Sequence, residues 1–307
     1  MGRPIVRALL AAAIAGLPAA ACAPTVEGPA AAIASEQMTT GTAFDASASR
    51  QRVLDFVAAY ASSPTDGAES LLEMVGGAEL TSWVRWLNVQ HREFPGAIEA
   101  RAEIRDVEFV GEVPVDEDLV AAQVALSASV VFRFSPERED AFDRIRILDG
   151  PVNVVQTEDR IFVVVDLLRD GVSMSDGIQL FERLGERVGP LEVIVDSLHM
   201  FPPNWQFNVV IQNRGGRPLG LRRELSGLHV RTDAGFERFE GTATRSLETI
   251  PPGGRVEGIV AYPMQDSPDG RVLTLAYGRG KEPLRFDFPL DGLVSVAPSP
   301  PPGPASG

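Results

Sequence analysis

The apolar positions of this chain change period along its length, and each change marks an element. From Ser49 onward Val53, Phe56, Val57 and Tyr60 fall at helical spacing, and the run stops before Pro64. Asp66 with Glu69 three residues later has the form of a capping box, opening a second helix that Gly76 and Gly77 close. A third helix is expected from Ala78 to Arg92, carrying Leu80, Val84, Leu87 and His91 along one stripe and ended by Pro95. The period then falls to two. Strands are expected at Ala102–Gly111, Leu119–Phe134, Phe142–Leu148, Val152–Gln156 and Arg160–Leu168, the last two joined at Thr157-Glu158-Asp159. Along the second of these, Val120, Ala122, Val124, Leu126, Ala128, Val130 and Phe132 form one face, with Gln123, Ser127 and Arg133 on the other.

A helical spacing returns briefly at Ile178, Phe181, Leu184 and Val188, which predicts a connecting helix over 175–187. Beyond it only strands and turns follow, at Leu191–Met200, Trp205–Asn213, Gly227–Thr232, Val256–Tyr262, Arg271–Tyr277 and Leu284–Leu290. Turn chemistry separates them at Asn213-Arg214-Gly215-Gly216, Asp233-Ala234-Gly235 and Pro251-Pro252-Gly253-Gly254. Trp205, Phe207, Val209 and Ile211 share one face of their strand and are the expected core of this part. The expected organisation is an α+β domain over 49–172, a helical connector over 173–188 and an all-β sandwich over 189–291.

Helices followed by a long antiparallel sheet, over roughly residues 49–170, resemble the cone-shaped α+β fold of nuclear transport factor and of the polyketide-cyclase and ketosteroid-isomerase enzymes. That resemblance implies a pocket between helices and sheet. The later part resembles the telokin-like, immunoglobulin-like domains appended to bacterial surface lipoproteins. It does so through Val209-Val210-Ile211-Gln212-Asn213-Arg214-Gly215, the turn Asp233-Ala234-Gly235, then Pro252-Gly253-Gly254-Arg255-Val256-Glu257-Gly258 and Tyr262-Pro263. Such domains imply binding or display.

The ends of the chain change this picture. Arg3 and Arg7 precede an apolar run, Ala8 to Ala21, that is too short to span a bilayer, so residues 1–21 read as a signal peptide. Ala19-Ala20-Ala21-Cys22 resembles the lipobox of bacterial lipoproteins, which implies a lipid anchor on Cys22 and an extracytoplasmic, membrane-attached location. Cys22 is the single cysteine of 307 residues, so an intramolecular disulfide is ruled out. The alternative is an ordinary secretory signal cut nearby. Residues 22–48, rich in Ala, Thr, Ser and Gly, read as a tether, and the Pro-rich residues 292–307 as a tail.

Charge narrows the partners. With a net charge of −14 the chain repels phosphate backbones, so nucleic acid is not an expected partner. Tyr60, Trp83, Trp86 and His91 are the candidate pocket residues on the helices, with Gln123, Ser127 and Arg133 on the facing strand. An isomerase would need a carboxylate base set against a hydrogen-bonding acid, and Tyr60 could be the donor, but no carboxylate is singled out by spacing. No catalytic residue is therefore assigned. His91, His199 and His229 are too scattered for a zinc site, and Asp116-Glu117-Asp118 lacks the register of a calcium loop. Neither a metal nor a cofactor is expected. The function expected is a membrane-anchored module that binds or scaffolds a cell-envelope protein or a small apolar ligand. The alternative is an isomerase- or cyclase-like enzyme using residues 49–170.

Overall fold

Asp45 opens the first helix, α1 (Ala46–Asp66), by accepting hydrogen bonds from the backbone N–H of Ser47 and Ala48. The computed structural model describes residues 45–93, 99–116, 119–133, 144–157, 159, 161–181, 184–232, 235–278 and 282–291. Cys22, the leader, residues 22–44 of the expected tether, the tail, Pro95, the acidic pair Glu117-Asp118, Phe134, Glu158 and Asp233-Ala234 lie outside these residues, whereas residues 45–48, read as the end of the tether, cap and begin α1.

α1 runs past Pro64, where the sequence pattern had placed its end. Proline has no N–H to give to the carbonyl of Tyr60, and the Ser63 hydroxyl donates to that carbonyl instead, at 2.8 Å. Asp66 therefore belongs to the last turn of α1 and does not cap the next helix. The chain reverses at Gly67, whose φ of 86° suits glycine. A single turn follows, α2 (Glu69–Leu72), with no side-chain cap; the N–H of Ala68 donates instead to Asn88 Oδ1 at 3.0 Å. Asn88 lies on α3 (Ala78–Glu93).

The next four long elements form an antiparallel meander, β1 (Glu99–Asp116), β2 (Leu119–Arg133), β3 (Arg144–Gln156) and β4 (Phe162–Arg169), with the short β5 (Val172–Ser173) as the fifth strand. β3 is continuous where the sequence suggested a break at Gly150-Pro151. Gly150 takes φ 137° there, a conformation few other residues adopt, and the pairing with β2 carries on through Pro151 opposite Ala125. The apolar face of β2 packs under the helices with Val53, Phe56, Tyr60 and Trp83. Its other face carries Ser127, whose hydroxyl meets Asp149 and Arg105, and Arg133, paired to Glu99 at 2.6 Å.

The expected connecting helix is replaced by strands. β6 (Ile178–Leu180) and β7 (Gly185–Val188) both pair antiparallel with β8 (Leu191–Phe201). Helical spacing of four apolar residues was outweighed by the open edge of β8, which offers each backbone group a partner. β8 pairs with β9 (Asn204–Asn213) across the two-residue turn Pro202-Pro203, whose peptide bond is cis. After the two-residue β10 (Leu219–Gly220) come β11 (Gly227–Thr232), β12 (Gly235–Phe239) and β13 (Thr242–Ala243). A one-turn helix α4 (Arg245–Glu248), β14 (Thr249–Ile250), β15 (Arg255–Pro263), β16 (Arg271–Tyr277) and β17 (Leu284–Pro289) complete the described chain.

These strands make a sheet in the order β13-β15-β9-β8-β6 and a second in the order β12-β11-β16-β17. One core joins them: Trp205, Phe207, Val209 and Ile211 of β9 are buried with Leu273 and Leu275 of β16 and Phe286 and Phe288 of β17. Trp205, 1% exposed, meets Phe207 edge-on at 6.5 Å. The described protein is thus β-rich with a few helices. Among the described residues no helix is long and apolar enough to cross a membrane.

Candidate functional site

Two irregularities in the strands aim polar side chains at the layer of helices. Along β8 the apolar residues Leu191, Val193 and Val195 face the partner sheet, and a bulge between Val195 and Ser197 then shifts the phase by one. Leu198 takes over on the inner face, while Ser197, His199 and Phe201 turn toward α3. On β4, a bulge opposite Asn153 and Val154 does the same, leaving Val163 and Val165 on the outer side and bringing Leu167 to the inner core and Arg169 against Trp86.

α3 lies between these two strands and joins both parts of the fold. On one side Trp83 packs at 6.1 Å from Phe56 and edge-on at 5.1 Å from Tyr60, and Tyr60 in turn meets Phe132 of β2. On the other side the Ser82 hydroxyl donates to Ser197 Oγ at 2.8 Å, and Trp86 Nε1 and Gln90 Nε2 both donate to Gln206 Oε1 on β9, at 2.9 and 3.0 Å. Arg92 reaches the carbonyl of Glu257 on β15, and Glu93 accepts from the N–H of Ser246. This side is the seam between the five-stranded sheet with its helices and the paired sheets.

A cleft of about 350 Å³ opens at one end of the seam. Its aromatic and proline wall is Trp86, Phe201, Pro202 and Pro203; its polar wall is Arg146, Arg169 and His199, with the amides of Gln90, Asn204 and Gln206. Arg169 is 3% exposed, its guanidinium 4.9 Å from the Phe201 ring and 5.6 Å from the Trp86 ring. Asp170 accepts from Arg146 at 3.1 Å and stands 3.6 Å from Arg169. His199 is 1% exposed and stacks on Trp86 at 5.5 Å. Its Nε2 is 3.1 Å from Ser197 Oγ and 3.4 Å from Ser82 Oγ. Burial, helped by the nearby Arg169 charge, pushes its pKa down from 6.5 to about 3, so the ring is neutral at physiological pH.

The four helix residues singled out by the sequence therefore part company. Trp86 lines the cleft. Tyr60 and Trp83 are 4% and 1% exposed in the aromatic cluster between helices and sheet, the place where the cone resemblance implied a pocket. His91 is half-buried near the end of α3, its pKa lowered by burial against the opposing charge of Glu69, and it is not part of the cleft lining. Ser127 and Arg133 lie on the face of β2 turned away from the helices. His229 sits on β11, in the sheet farthest in sequence from α3. Among the described residues no three His, Cys, Asp or Glu side chains gather as a metal site would require.

Arg169 and Gln206 were not singled out by the sequence, and His199 only as a histidine too isolated for a zinc site, although a signal existed. The shift of apolar residues from 191, 193 and 195 to 198 marks the bulge that exposes His199 to the seam. Gln206 and Asn208 alternate with the core residues of β9, and Asn208 is fully buried and hydrogen-bonds Glu257. No protein-family model, curated protein or solved structure matches this chain.

Proposed function

We propose that this protein is a lipid-anchored module of the cell envelope that binds a partner or small molecule at the seam cleft. The anchor part of the reading comes from Ala19-Ala20-Ala21-Cys22 following a short apolar run. The binding part is carried by one observation: the space between α1, α3 and β2 is occupied by Phe56, Tyr60, Trp83 and Phe132, whereas the seam holds an open cleft lined by Trp86, Arg169 and His199. On this reading the five-stranded sheet with its helices is a cone-like α+β unit, the paired sheets are an immunoglobulin-like unit, and the ligand site is made by both. An isomerase would need a carboxylate in its pocket, and among the described residues the cleft lining contains none.

Replacing Cys22 tests the address. Cys22→Ser removes the thiol that would be acylated, and two acyl chains at about 0.8 kcal/mol per buried methylene provide the attachment. The variant is expected to move from the membrane pellet to the soluble fraction. Wild-type retention by the variant would mean that no lipid on Cys22 holds the protein.

A further inference from the structure

We propose that the seam cleft binds a small organic carboxylate carrying a compact apolar group, with Arg146, Arg169 and His199 at the carboxylate and Trp86, Phe201 and Pro203 against its apolar body. The proposal rests on the binding role given above and is independent of the anchor.

Three observations lead to it. The first is charge. The chain as a whole is strongly acidic, yet the lining of this cleft has two guanidiniums and, among the described residues, no carboxylate. A guanidinium fork matches a carboxylate with two parallel hydrogen bonds, and anions meet it most strongly where water is scarce. Asp170 offsets part of the positive charge, through Arg146 at 3.1 Å and Arg169 at 3.6 Å, which suits one carboxylate better than a doubly charged phosphate.

The second is an unused donor. Ser82 gives its hydroxyl proton to Ser197, so the proton of Ser197 is free to go to His199 Nε2. With Nε2 accepting, a neutral ring carries its own proton on Nδ1. That Nδ1 is buried, and among the described residues it has no hydrogen-bond partner. An unpaired buried N–H is costly, and on this proposal the carboxylate, entering beside His199 in the cleft lining, supplies the missing acceptor. The third is the apolar wall. At about 350 Å³ the cleft is at the small end of small-molecule sites, which run from ~300 to ~1,000 Å³, and its rings and prolines favour a compact hydrophobic group.

The test uses the full chain in detergent, titrated by calorimetry with phenylacetate, hexanoate, phenylacetamide and inorganic phosphate. Saturable binding of phenylacetate or hexanoate is expected, with phenylacetamide weaker by about tenfold or more, the loss of one charge-assisted pair. Arg146→Gln, at a side chain that is only partly buried, is expected to weaken the acid by a similar factor and the amide by less, so that the preference for the acid shrinks. Its melting temperature reports whether it folds, and the comparison of acid with amide on the unaltered chain stands without it. Equal binding of acid and amide would overturn the ligand class while leaving the binding role in place. Phosphate binding as tightly as either acid, and in competition with it, would also overturn the class, in favour of a bare anion site. Binding of none of the four probes would overturn both the class and the role of this cleft.

Discussion

At the scale of single residues, the seam is held by side chains whose cost of burial is met unevenly. Ser82 and Ser197 satisfy each other and His199 Nε2, while Asn208 Oδ1 and His199 Nδ1 have no partner among the described residues. His199 makes this measurable through pH. Its pKa in the folded protein is about 3 against 6.5 for a free imidazole, so between these values the unfolded chain binds a proton that the folded one does not. Stability is therefore complete above pH 6.5 and is lost as the pH falls toward 3. Asp166 and Asp196 oppose this at the acidic end, because burial raises both and the folded protein takes up their protons first. Comparing wild type with His199→Gln cancels those carboxylates. From pH 7 to 5 the wild type should lose about 2 kcal/mol more than the variant in chemical denaturation. Parallel pH profiles for the two proteins would show that His199 is not buried as a neutral ring.

At the scale of elements, the sequence was most legible where a long strand has one apolar face. β11 and β16 begin and end where the alternation does, and β2, β8, β9 and β15 differ from expectation by only a residue or so at their ends. It was least legible where tertiary partners outweigh local spacing. The stretch 175–187 has helical periodicity and forms strands, because β8 presents an unpaired edge to it. Asp66 and Glu69 have the form of a capping box and fail to make one, because Ser63 repairs the proline defect and lets α1 continue. The cleft was half legible. Trp86 was found from its helix, but Arg169 and His199 reach it only through bulges, which slip the register by one residue and move side chains to the opposite face. These elements also move the start of the paired sheets upstream of Gly189. A fragment covering residues 189–291 lacks β6 and β7 and leaves the edge of β8 bare, whereas one covering 176–291 keeps both strands. The longer fragment should unfold cooperatively in urea and resist proteolysis, and the shorter should aggregate or be degraded. If both behave alike, β6 and β7 contribute nothing to the sheet they border.

At the scale of the whole molecule, the question is whether the two parts act as one body. A single cluster of buried residues runs from α1 and the five-stranded sheet through α3 to Ile178, Phe201 and Ile259 on the paired sheets. Trp86 is central to that junction: it is 7% exposed, stacks on His199, lies under Arg169 and donates to Gln206. Domain interfaces within a chain are commonly polar and permit relative motion. This one is crossed by a buried hydroxyl pair, an indole and apolar side chains, so the free energy of unfolding one part should depend on the other. The wild-type chain is accordingly expected to show one calorimetric transition, reported together by far-ultraviolet and tryptophan signals. Truncating the junction with Trp86→Ala should cost about 3–5 kcal/mol and separate the melting of the two parts, because the loss falls on their contact and not on either core. The Trp205→Ala control, placed inside the core of the paired sheets, should cost a similar amount and leave a single transition at lower temperature. Two transitions already present in the wild type would show that α3 rests on the paired sheets without coupling them, and a cleft built across the seam would then lack the fixed geometry that its ligand requires.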